Sequence, residues 1–380
     1  MIYADHAATT RLCPEAKAAM LRAMDECWGN PSSLHGPGQT AAAALGNARE
    51  TIADLLGASP REIYFTSGGS EGDNQAILSA AWNGAAQGKR HLITSAIEHH
   101  AVLRTMEYLE SQGFSVTYLP VTAGGLVRPE DVAAAIREDT ALVSVMTVNN
   151  EVGTIQTIPE LSALCREYQV PFHTDAVQAV GHIPVNLRET PVDYLTLSAH
   201  KFCGPRGAGV LYAKRGTRPH SLIHGGGQER GKRAGTENLP AILGMAAAME
   251  RAISDLPEHM AHVSALRDRL IRGLLAIPGC TLNGDRDRLA PGIVNVCLEG
   301  VEGETLLLLL DGAGVCASAG SACSAGALEP SHVLSAMGVA PEIAQGSLRL
   351  SLGWENTPEE VDTILSETAR IARQLRAMRR

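Results

Sequence analysis

The sequence predicts an α/β protein with a mostly parallel, doubly wound sheet and a second, smaller α+β lobe. Two patterns carry this prediction. Short apolar runs of strand length alternate with amphipathic helical stretches through the N-terminal half, and the last part of the chain has fewer strands, again with helices between them. The 380 residues, 45% of them hydrophobic, are enough to bury a large core in two lobes.

The predicted elements follow one another in chain order. The strands of the larger lobe are the runs 62–65, 91–94, 116–119, 142–146, 170–172 and 192–197. An alanine-rich helix then follows the glycine-rich loop 225–227 and links the lobes at 240–256. The smaller lobe adds a helix at 263–275, a strand at 293–298, a helix at 303–310, a strand at 348–352 and a last helix from Pro358. The predicted domains are therefore residues 16–256, and residues 1–15 together with 257–380.

Charge and composition limit the kinds of partner. The net charge of -9 and the pI near 5.8 do not favour nucleic acid or an anionic membrane, so a small-molecule substrate is expected. The N-terminus lacks the features of a signal peptide, and the apolar run 306–310 is too short to span a bilayer, which predicts a cytoplasmic protein. The eight cysteines form no Cys-x-x-Cys pair, so we expect reduced thiols and no metal site.

A lysine and an aspartate stand at the ends of two predicted strands. Asp175 follows the strand 170–172 and Lys201 follows the strand 192–197, so both face one crevice at the carboxyl edge of the sheet. An amine forms a Schiff base with an aldehyde, and a protonated pyridine nitrogen needs a carboxylate. The pair therefore suggests a pyridoxal 5'-phosphate site. On these two residues alone, a surface lysine and a helix-capping aspartate are the commoner outcome.

A turn rich in glycine and hydroxyl groups supports the same site. Gly69 and Ser70 lie between a strand end and a helix start, where backbone N–H groups and a hydroxyl bind anions such as phosphate. Ser198 and His200 flank Lys201 and offer further donors. Such a turn is often only a helix cap, but the two motifs support each other.

Three more polar side chains are candidates for the crevice. His99 follows a strand and is placed to stack on a flat ring and move protons, whereas His100 is expected to be a solvated residue at a helix start. Asn150 follows another strand, where its amide can bond a cofactor or substrate oxygen, although asparagines there are commonly turn residues. Arg349 has apolar neighbours on a late strand and requires a carboxylate partner, which an amino-acid substrate carries.

Cys323 lies among small residues at 319–327, which predicts an exposed loop rather than a packing site. An isolated cysteine is more often structural, and we assign that role to the cysteines at 13, 27, 165, 203, 280 and 297. Cys316 is close enough in sequence to meet Cys323 under oxidation.

Together these motifs resemble those of the cysteine desulfurases of the NifS/IscS type, which are fold-type I pyridoxal-phosphate enzymes in the class V aminotransferase family. The resemblance runs from about Tyr3 to the last helix. Its ordered motifs stand at 7–10, 29–35, 98–99, 149–153, 173–178, 225–229, 233–238 and 320–323. The segment around Cys323, followed by 328–334, is similar to the long-loop class, group I.

The resemblance implies an activity and a role for each residue. Such an enzyme converts L-cysteine to L-alanine and passes the sulfur to an iron–sulfur scaffold or another sulfur-acceptor protein. By resemblance, Lys201 bonds to the cofactor and takes the substrate's Cα proton, Asp175 pairs with the pyridine nitrogen, Gln178 meets the ring hydroxyl oxygen, and His99 stacks on the ring. Cys323 attacks the substrate sulfur and becomes a persulfide.

The remaining assignments by resemblance concern phosphate and substrate. The phosphate is held by Gly69, Ser70, Ser198 and His200, joined by Thr236 from the other subunit of a homodimer. The substrate is bound by Arg349 and Asn150, of which Asn150 also contacts the cofactor.

Four positions depart from the family pattern. His6 replaces an asparagine, Ser70 a threonine, Gly72 a serine and Ala199 a frequent glycine. Ser70 keeps the hydroxyl group. The sequence leaves open the sulfur acceptor, the pathway and a preference for selenocysteine. Two other functions compete: a pyridoxal-phosphate aminotransferase or lyase, which needs no loop thiol, and a catalytically idle sulfur-relay platform, against which Lys201, Asp175 and His99 argue.

Overall fold

The computed structural model describes residues 1–319 and 331–378. Its strands are β1 (Ile2–Tyr3), β2 (Ile63–Thr66), β3 (His91–Ser95), β4 (Ser115–Leu119), β5 (Thr140–Ser144), β6 (Phe172–Asp175), β7 (Tyr194–Ser198), β8 (Gly209–Ala213), β9 (Cys280–Asn283), β10 (Ile293–Leu298), β11 (Val315–Cys316) and β12 (Ser347–Ser351). The predicted strands are all present, with boundaries that differ by at most three residues.

The helices lie between these strands. They are α1 (Pro14–Glu26), α2 (Gly36–Leu56), α3 (Gly69–Ala85), α4 (His100–Ser111), α5 (Pro129–Ala135), α6 (Ile158–Glu167), α7 (Gln228–Gly231), α8 (Leu239–Ser254), α9 (Leu256–Leu275), α10 (Gly303–Gly312), α11 (His332–Ala336), α12 (Pro341–Ala344) and α13 (Pro358–Met378). No helix in the described part of the chain is long and apolar enough to cross a lipid bilayer.

The larger sheet has seven strands in the order β2-β8-β7-β6-β5-β3-β4. Strands β7, β6, β5, β3 and β4 are mutually parallel, whereas β8 runs antiparallel to both of its neighbours. The predicted mostly parallel sheet is therefore confirmed. Strand β8 was not predicted, because its short apolar run follows a glycine-rich turn.

Helices cover both faces of this sheet because successive side chains of a strand point to opposite faces. Ile93 and Val143 join one hydrophobic cluster with α2 and α8, while the adjacent residues Leu92 and Leu142 join a second cluster with α3 and α4. Strands buried on both faces appear in the sequence as continuous apolar runs, which is what the sequence of the larger lobe shows.

A smaller antiparallel sheet, in the order β12-β10-β9, packs against α9, α10 and α13 around a separate hydrophobic cluster. The N-terminal strand β1 pairs in parallel with β11, and Ala4 joins the same cluster. Strands β9 and β11 were not predicted because they are short and partly exposed. The domain boundary between residues 256 and 257 stays a prediction.

Candidate active site

The carboxyl ends of β3, β5, β6 and β7 open onto a cavity of about 360 Å³. Ten of the predicted site residues line it: Gly69, Ser70, His99, Asn150, Asp175, Gln178, Ser198, His200, Lys201 and Arg349. A parallel sheet brings the carboxyl ends of its strands to one edge, and this explains why residues so far apart in sequence meet here.

The lysine and the aspartate project from neighbouring strands. Asp175 is the last residue of β6, and Lys201 ends a single 3-10 turn directly after β7. The Lys201 Nζ donates hydrogen bonds to the carbonyl oxygens of Ala7, at 2.6 Å, and Ala8, at 2.9 Å. Asp175 Oδ1 accepts a hydrogen bond from the Val177 N–H at 2.8 Å. Burial raises the pKa of Asp175, and the nearby Lys201 partly offsets this rise.

The glycine turn has the features of a phosphate site. Helix α3 begins at Gly69, so its first N–H groups lack partners within the helix. A Cβ at Gly69 would lie 2.7 Å from Val177 Cγ2, and this explains the glycine. Burial lowers the pKa of His200 to about 4, so its ring is neutral at pH 7, with Nδ1 3.1 Å from Thr9 Oγ1.

Gly72 and His6 are both tightly packed. A Cβ at Gly72 would lie 2.6 Å from Thr196 Cγ2, because α3 passes close to β7 at this point. His6 is buried, with its ring against Gly353 and edge-on to Tyr3 at 5.0 Å. It lines a neighbouring cavity of about 60 Å³ that also touches Lys201.

Two histidines begin α4 and both line the cavity. His99 caps the helix, because its Nδ1 accepts a hydrogen bond from the Ala101 N–H at 3.1 Å. Burial lowers the pKa of His99 to about 4, so the ring is neutral and carries its proton on Nε2. The expectation that His100 is simply solvated is wrong: it is half-buried, with its ring centroid 4.8 Å from that of His332.

The two asparagines after β5 have different roles. Asn149 is buried and holds the turn, because its Oδ1 accepts hydrogen bonds from the N–H groups of Glu151 and Val152, both at 2.9 Å. Asn150, in contrast, lines the cavity. The turn interpretation of this motif therefore applies to Asn149.

Arg349 lies on β12 with only 2% of its surface exposed. Its Nη1 donates to the carbonyl oxygen of Asn150 at 3.0 Å, and its Nη2 donates to Asp5 Oδ1 at 2.9 Å. The expected carboxylate partner is thus present in the chain itself, as Asp5, to which the sequence analysis gave no role. No local pattern signals this pair, because its members are 344 residues apart.

Three buried acids were also not assigned: Asp73 and Glu151, which line the cavity, and Glu98, which accepts a hydrogen bond from the N–H of the cavity residue Met146. Asp73 lines the cavity with 1% exposure, and burial together with the neighbouring Asp175 raises its pKa. Burial raises the pKa of Glu98 to about 8 and that of Glu151 to about 7. The sequence offered one indication that Asp73 faces the site, its position about one helical turn after Ser70 on α3.

Thr236 does not line this cavity in its own chain. Thr236 lines a separate cavity of about 150 Å³ with Ser67 and Arg233. Cys323 lies outside the described residues. The described residues on either side of that segment do reach the site: the Ser318 N–H donates to the Arg349 carbonyl oxygen at 3.1 Å, and Ser331 Oγ donates to Glu151.

Comparison with known proteins relates this geometry to characterised relatives. The family described as aminotransferase class-V matches residues 2–364. The cysteine desulfurase IscS of Methanosarcina thermophila is 52% identical over 377 residues, covering 99% of this chain and 93% of that protein. The cysteine desulfurase IscS of Clostridium botulinum strain Hall is 50% identical over 380 residues, covering 99% and 96%.

Solved structures agree. A NifS-like protein superimposes with a TM-score of 0.93 at 42% identity, covering 98% of this chain and 99% of that one. The structure of SspA in complex with cysteine gives a TM-score of 0.83 at 36% identity, covering 94% and 100%. The chain therefore belongs to the class-V aminotransferase family, among the cysteine desulfurases of the NifS and IscS type.

Proposed function

We propose that this protein removes the sulfur of L-cysteine to leave L-alanine, with pyridoxal 5'-phosphate as cofactor. The sulfur becomes a persulfide on Cys323 for delivery to an iron–sulfur scaffold or another acceptor protein in the cytoplasm. The observation that carries this proposal is that an amine, a buried carboxylate and a buried arginine converge in one cavity, as Lys201, Asp175 and Arg349. Relatives at half identity that are named cysteine desulfurases support it.

The side chains of the cavity fit this cofactor group by group. Hydroxyl, imidazole and helix-terminal N–H donors near Ser70, Ser198 and His200 suit a phosphate. The amine of Lys201 suits the aldehyde, and the Asp175 carboxylate suits a protonated ring nitrogen. The amide of Gln178 is held by a hydrogen bond from its Nε2 to the Ala7 carbonyl oxygen at 2.9 Å, within reach of the same cavity.

The chain's own groups account for substrate binding and proton transfer. When bound, pyridoxal phosphate supplies an aldehyde that bonds to amines and a ring that accepts electrons from the substrate's Cα. Arg349 and Asn150 hold the substrate, with the arginine on its carboxylate. The amine of Lys201 would take the Cα proton. His99 would lie against the ring and, being neutral at pH 7, would add no charge there.

The sulfur-transfer step balances within the enzyme and its substrate. The Cys323 thiolate forms an S–S bond to the substrate sulfur while the Cβ–S bond breaks. The electron pair of that bond stays on Cβ, which then takes a proton and becomes the methyl group of alanine. Sulfur is oxidised and carbon is reduced, so no external oxidant is required.

Incubating the purified holoenzyme with L-cysteine and a thiol reductant tests the function. Alanine and sulfide are expected in equal amounts. Pyruvate with ammonia would indicate a lyase, and a keto acid formed at the expense of an added acceptor keto acid would indicate an aminotransferase. A protein without cofactor absorbance and without any product would indicate the idle platform.

Replacing Asp175 with asparagine is expected to retain the cofactor but lower alanine formation on the order of 100-fold, because an unprotonated ring is a poor electron acceptor. Turnover and visible absorbance are measured on the same samples. Asp193→Asn is the matched control, since Asp193 stands just before β7, at the opposite end of the strand from Lys201. Undiminished turnover in the Asp175 variant would show that the carboxylate is not the partner of the ring.

We also propose a homodimer in which each site receives Thr236 from the neighbouring subunit. Thr236 lines a different cavity from Ser70 and Ser198 of its own chain. Two large apolar side chains in the segment that follows α1 are also exposed, Trp28 at 72% and Leu34 at 91%, which is typical of a surface that another protein covers. Sedimentation is expected to give a dimer.

A mixing experiment tests where Thr236 acts. Refolded mixtures of Lys201→Ala and Thr236→Ala chains contain dimers in which one site has both residues intact if Thr236 acts across the interface. Activity above that of either variant alone is expected. A clean, active monomer, or mixtures no more active than their components, would contradict the proposal.

A further inference from the structure

We propose that Asp5 is a resident counter-ion that competes with the carboxylates of substrate and product for Arg349, and so promotes the release of L-alanine. This inference rests on the proposed function, in which Arg349 binds the α-carboxylate of L-cysteine. Asp5 would then be a positioning residue that tunes carboxylate affinity and takes no part in the chemistry.

Arg349 is already neutralised without a ligand. It lines the cavity, is 2% exposed and is paired with Asp5 through one N–H of Nη2 at 2.9 Å. Its Nε is buried and has no hydrogen-bond partner among the described residues. A guanidinium has five N–H groups, of which Asp5 and the Asn150 carbonyl oxygen take two. Donors therefore remain for a second carboxylate while Asp5 stays in place.

The position of Asp5 is fixed by two other segments of the chain, the one that contains Ser318 and strand β12. Its Oδ2 accepts a hydrogen bond from Ser318 Oγ at 3.2 Å. On either side of it, the Ser351 N–H donates to the Ala4 carbonyl oxygen at 2.7 Å, and the His6 N–H donates to the Ser351 carbonyl oxygen at 3.1 Å. Ser351 is two residues beyond Arg349 on β12. The backbone segment that carries Asp5 is therefore hydrogen-bonded to the strand that carries Arg349. Such a contact is built into the fold.

The other carboxyl group near Arg349 cannot take over this role fully. Burial raises the pKa of Glu151 to about 7, and its Oε2 accepts a hydrogen bond from Ser331. Near neutral pH Glu151 is thus partly protonated, whereas Asp5 forms the direct ion pair. The charge that an incoming carboxylate meets depends mainly on Asp5.

Loss of the Asp5 charge should change the affinity of the site for carboxylates in one direction. A buried guanidinium without a counter-ion is costly, and that cost is relieved when a ligand carboxylate arrives. With Asp5 present, the cost is already offset and the ligand carboxylate meets a neutralised partner together with a nearby negative charge. Removing the charge of Asp5 should therefore tighten binding of L-cysteine and L-alanine alike. A purely structural role predicts the reverse, because a displaced Arg349 would bind carboxylates more weakly.

The test uses Asp5→Asn in the holoenzyme, since asparagine keeps an oxygen that accepts from Arg349 and places an NH2 group that can donate to Ser318 Oγ. The dissociation constant of L-alanine, followed by the visible absorbance of the cofactor, is expected to fall about tenfold. The KM for L-cysteine should fall with it, and kcat should fall if alanine release limits turnover. Cysteamine, which has the amine and thiol of cysteine but no carboxylate, should bind to both proteins equally.

A second variant keeps the inference testable if Asp5→Asn is unstable. Ser318→Ala removes one hydrogen bond from Asp5 without changing charge, and a smaller tightening of L-alanine binding is expected. Weaker or unchanged L-alanine binding in a folded variant would overturn the inference, as would an equal change for cysteamine. If the wild-type protein forms no alanine from L-cysteine, the proposed function itself fails. That assay is independent of the dissociation constants, which test the role of Asp5.

Discussion

Lys201→Ala is expected to abolish the visible absorbance of a covalently held cofactor and to lower alanine formation by more than about 1000-fold. The amine serves twice, as the attachment point and as the group that takes the Cα proton, so no single added group restores both. Of the lysines in the described chain, Lys201 is the one that lines the cavity. Absorbance scans and alanine assays on the same preparation measure the two losses.

Lys214→Ala provides the matched control. Lys214 follows β8 at the opposite end of the sheet, and its Nζ lies 3.4 Å from Asp193 Oδ1. Absorbance and turnover should both survive in this variant. A wild-type cofactor spectrum in the Lys201 variant would refute the assignment of the attachment site.

Cys323→Ser is expected to stop alanine and sulfide formation while leaving the steps at Cα intact. A serine hydroxyl is hardly ionised at neutral pH and cannot form a persulfide, whereas a thiolate is a strong nucleophile. Cofactor absorbance should still respond to L-cysteine, and L-cysteine recovered from deuterated water should carry deuterium at Cα. Mass spectrometry of the recovered amino acid measures this exchange directly.

Cys316→Ser serves as the control for the thiol. Cys316 lies in the short strand β11 and is half-buried, so its replacement should leave turnover nearly unchanged. Alanine and sulfide at the wild-type rate from the Cys323 variant would make that thiol a bystander and would contradict its role as the persulfide carrier.

The sequence predicted the elements that have strong apolar periodicity. Strand β10 was predicted with its observed bounds, because this buried central strand is apolar except for Asn295 and ends at clear turns. Strand β6 was placed two residues early, since Val170 and Pro171 are apolar although the strand begins at Phe172. Proline cannot donate to a ladder, and Pro171 contributes only its carbonyl oxygen, which accepts from the Val143 N–H.

The candidate site was predictable where residues follow strand ends. Lys201, Asp175 and His99 were found because the edge of a parallel sheet gathers such positions. The ion pair of Asp5 with Arg349 could not be predicted, because it depends on how the N-terminal segment packs beside β12. The role of His100 was misjudged for a related reason: its half-burial arises from contact with His332, which the linear sequence does not indicate.

The docking of the first ten residues also bears on synthesis of the protein. Ala7 and Ala8 emerge from the ribosome early, yet the amine that they orient belongs to Lys201, and the partners of Tyr3 and Asp5 are Cys316 and Arg349. The large sheet can form while these N-terminal residues are still unpaired. Competence for catalysis is therefore reached only when β12 has been translated, so a nascent or C-terminally truncated chain would hold a folded sheet with an unfinished site.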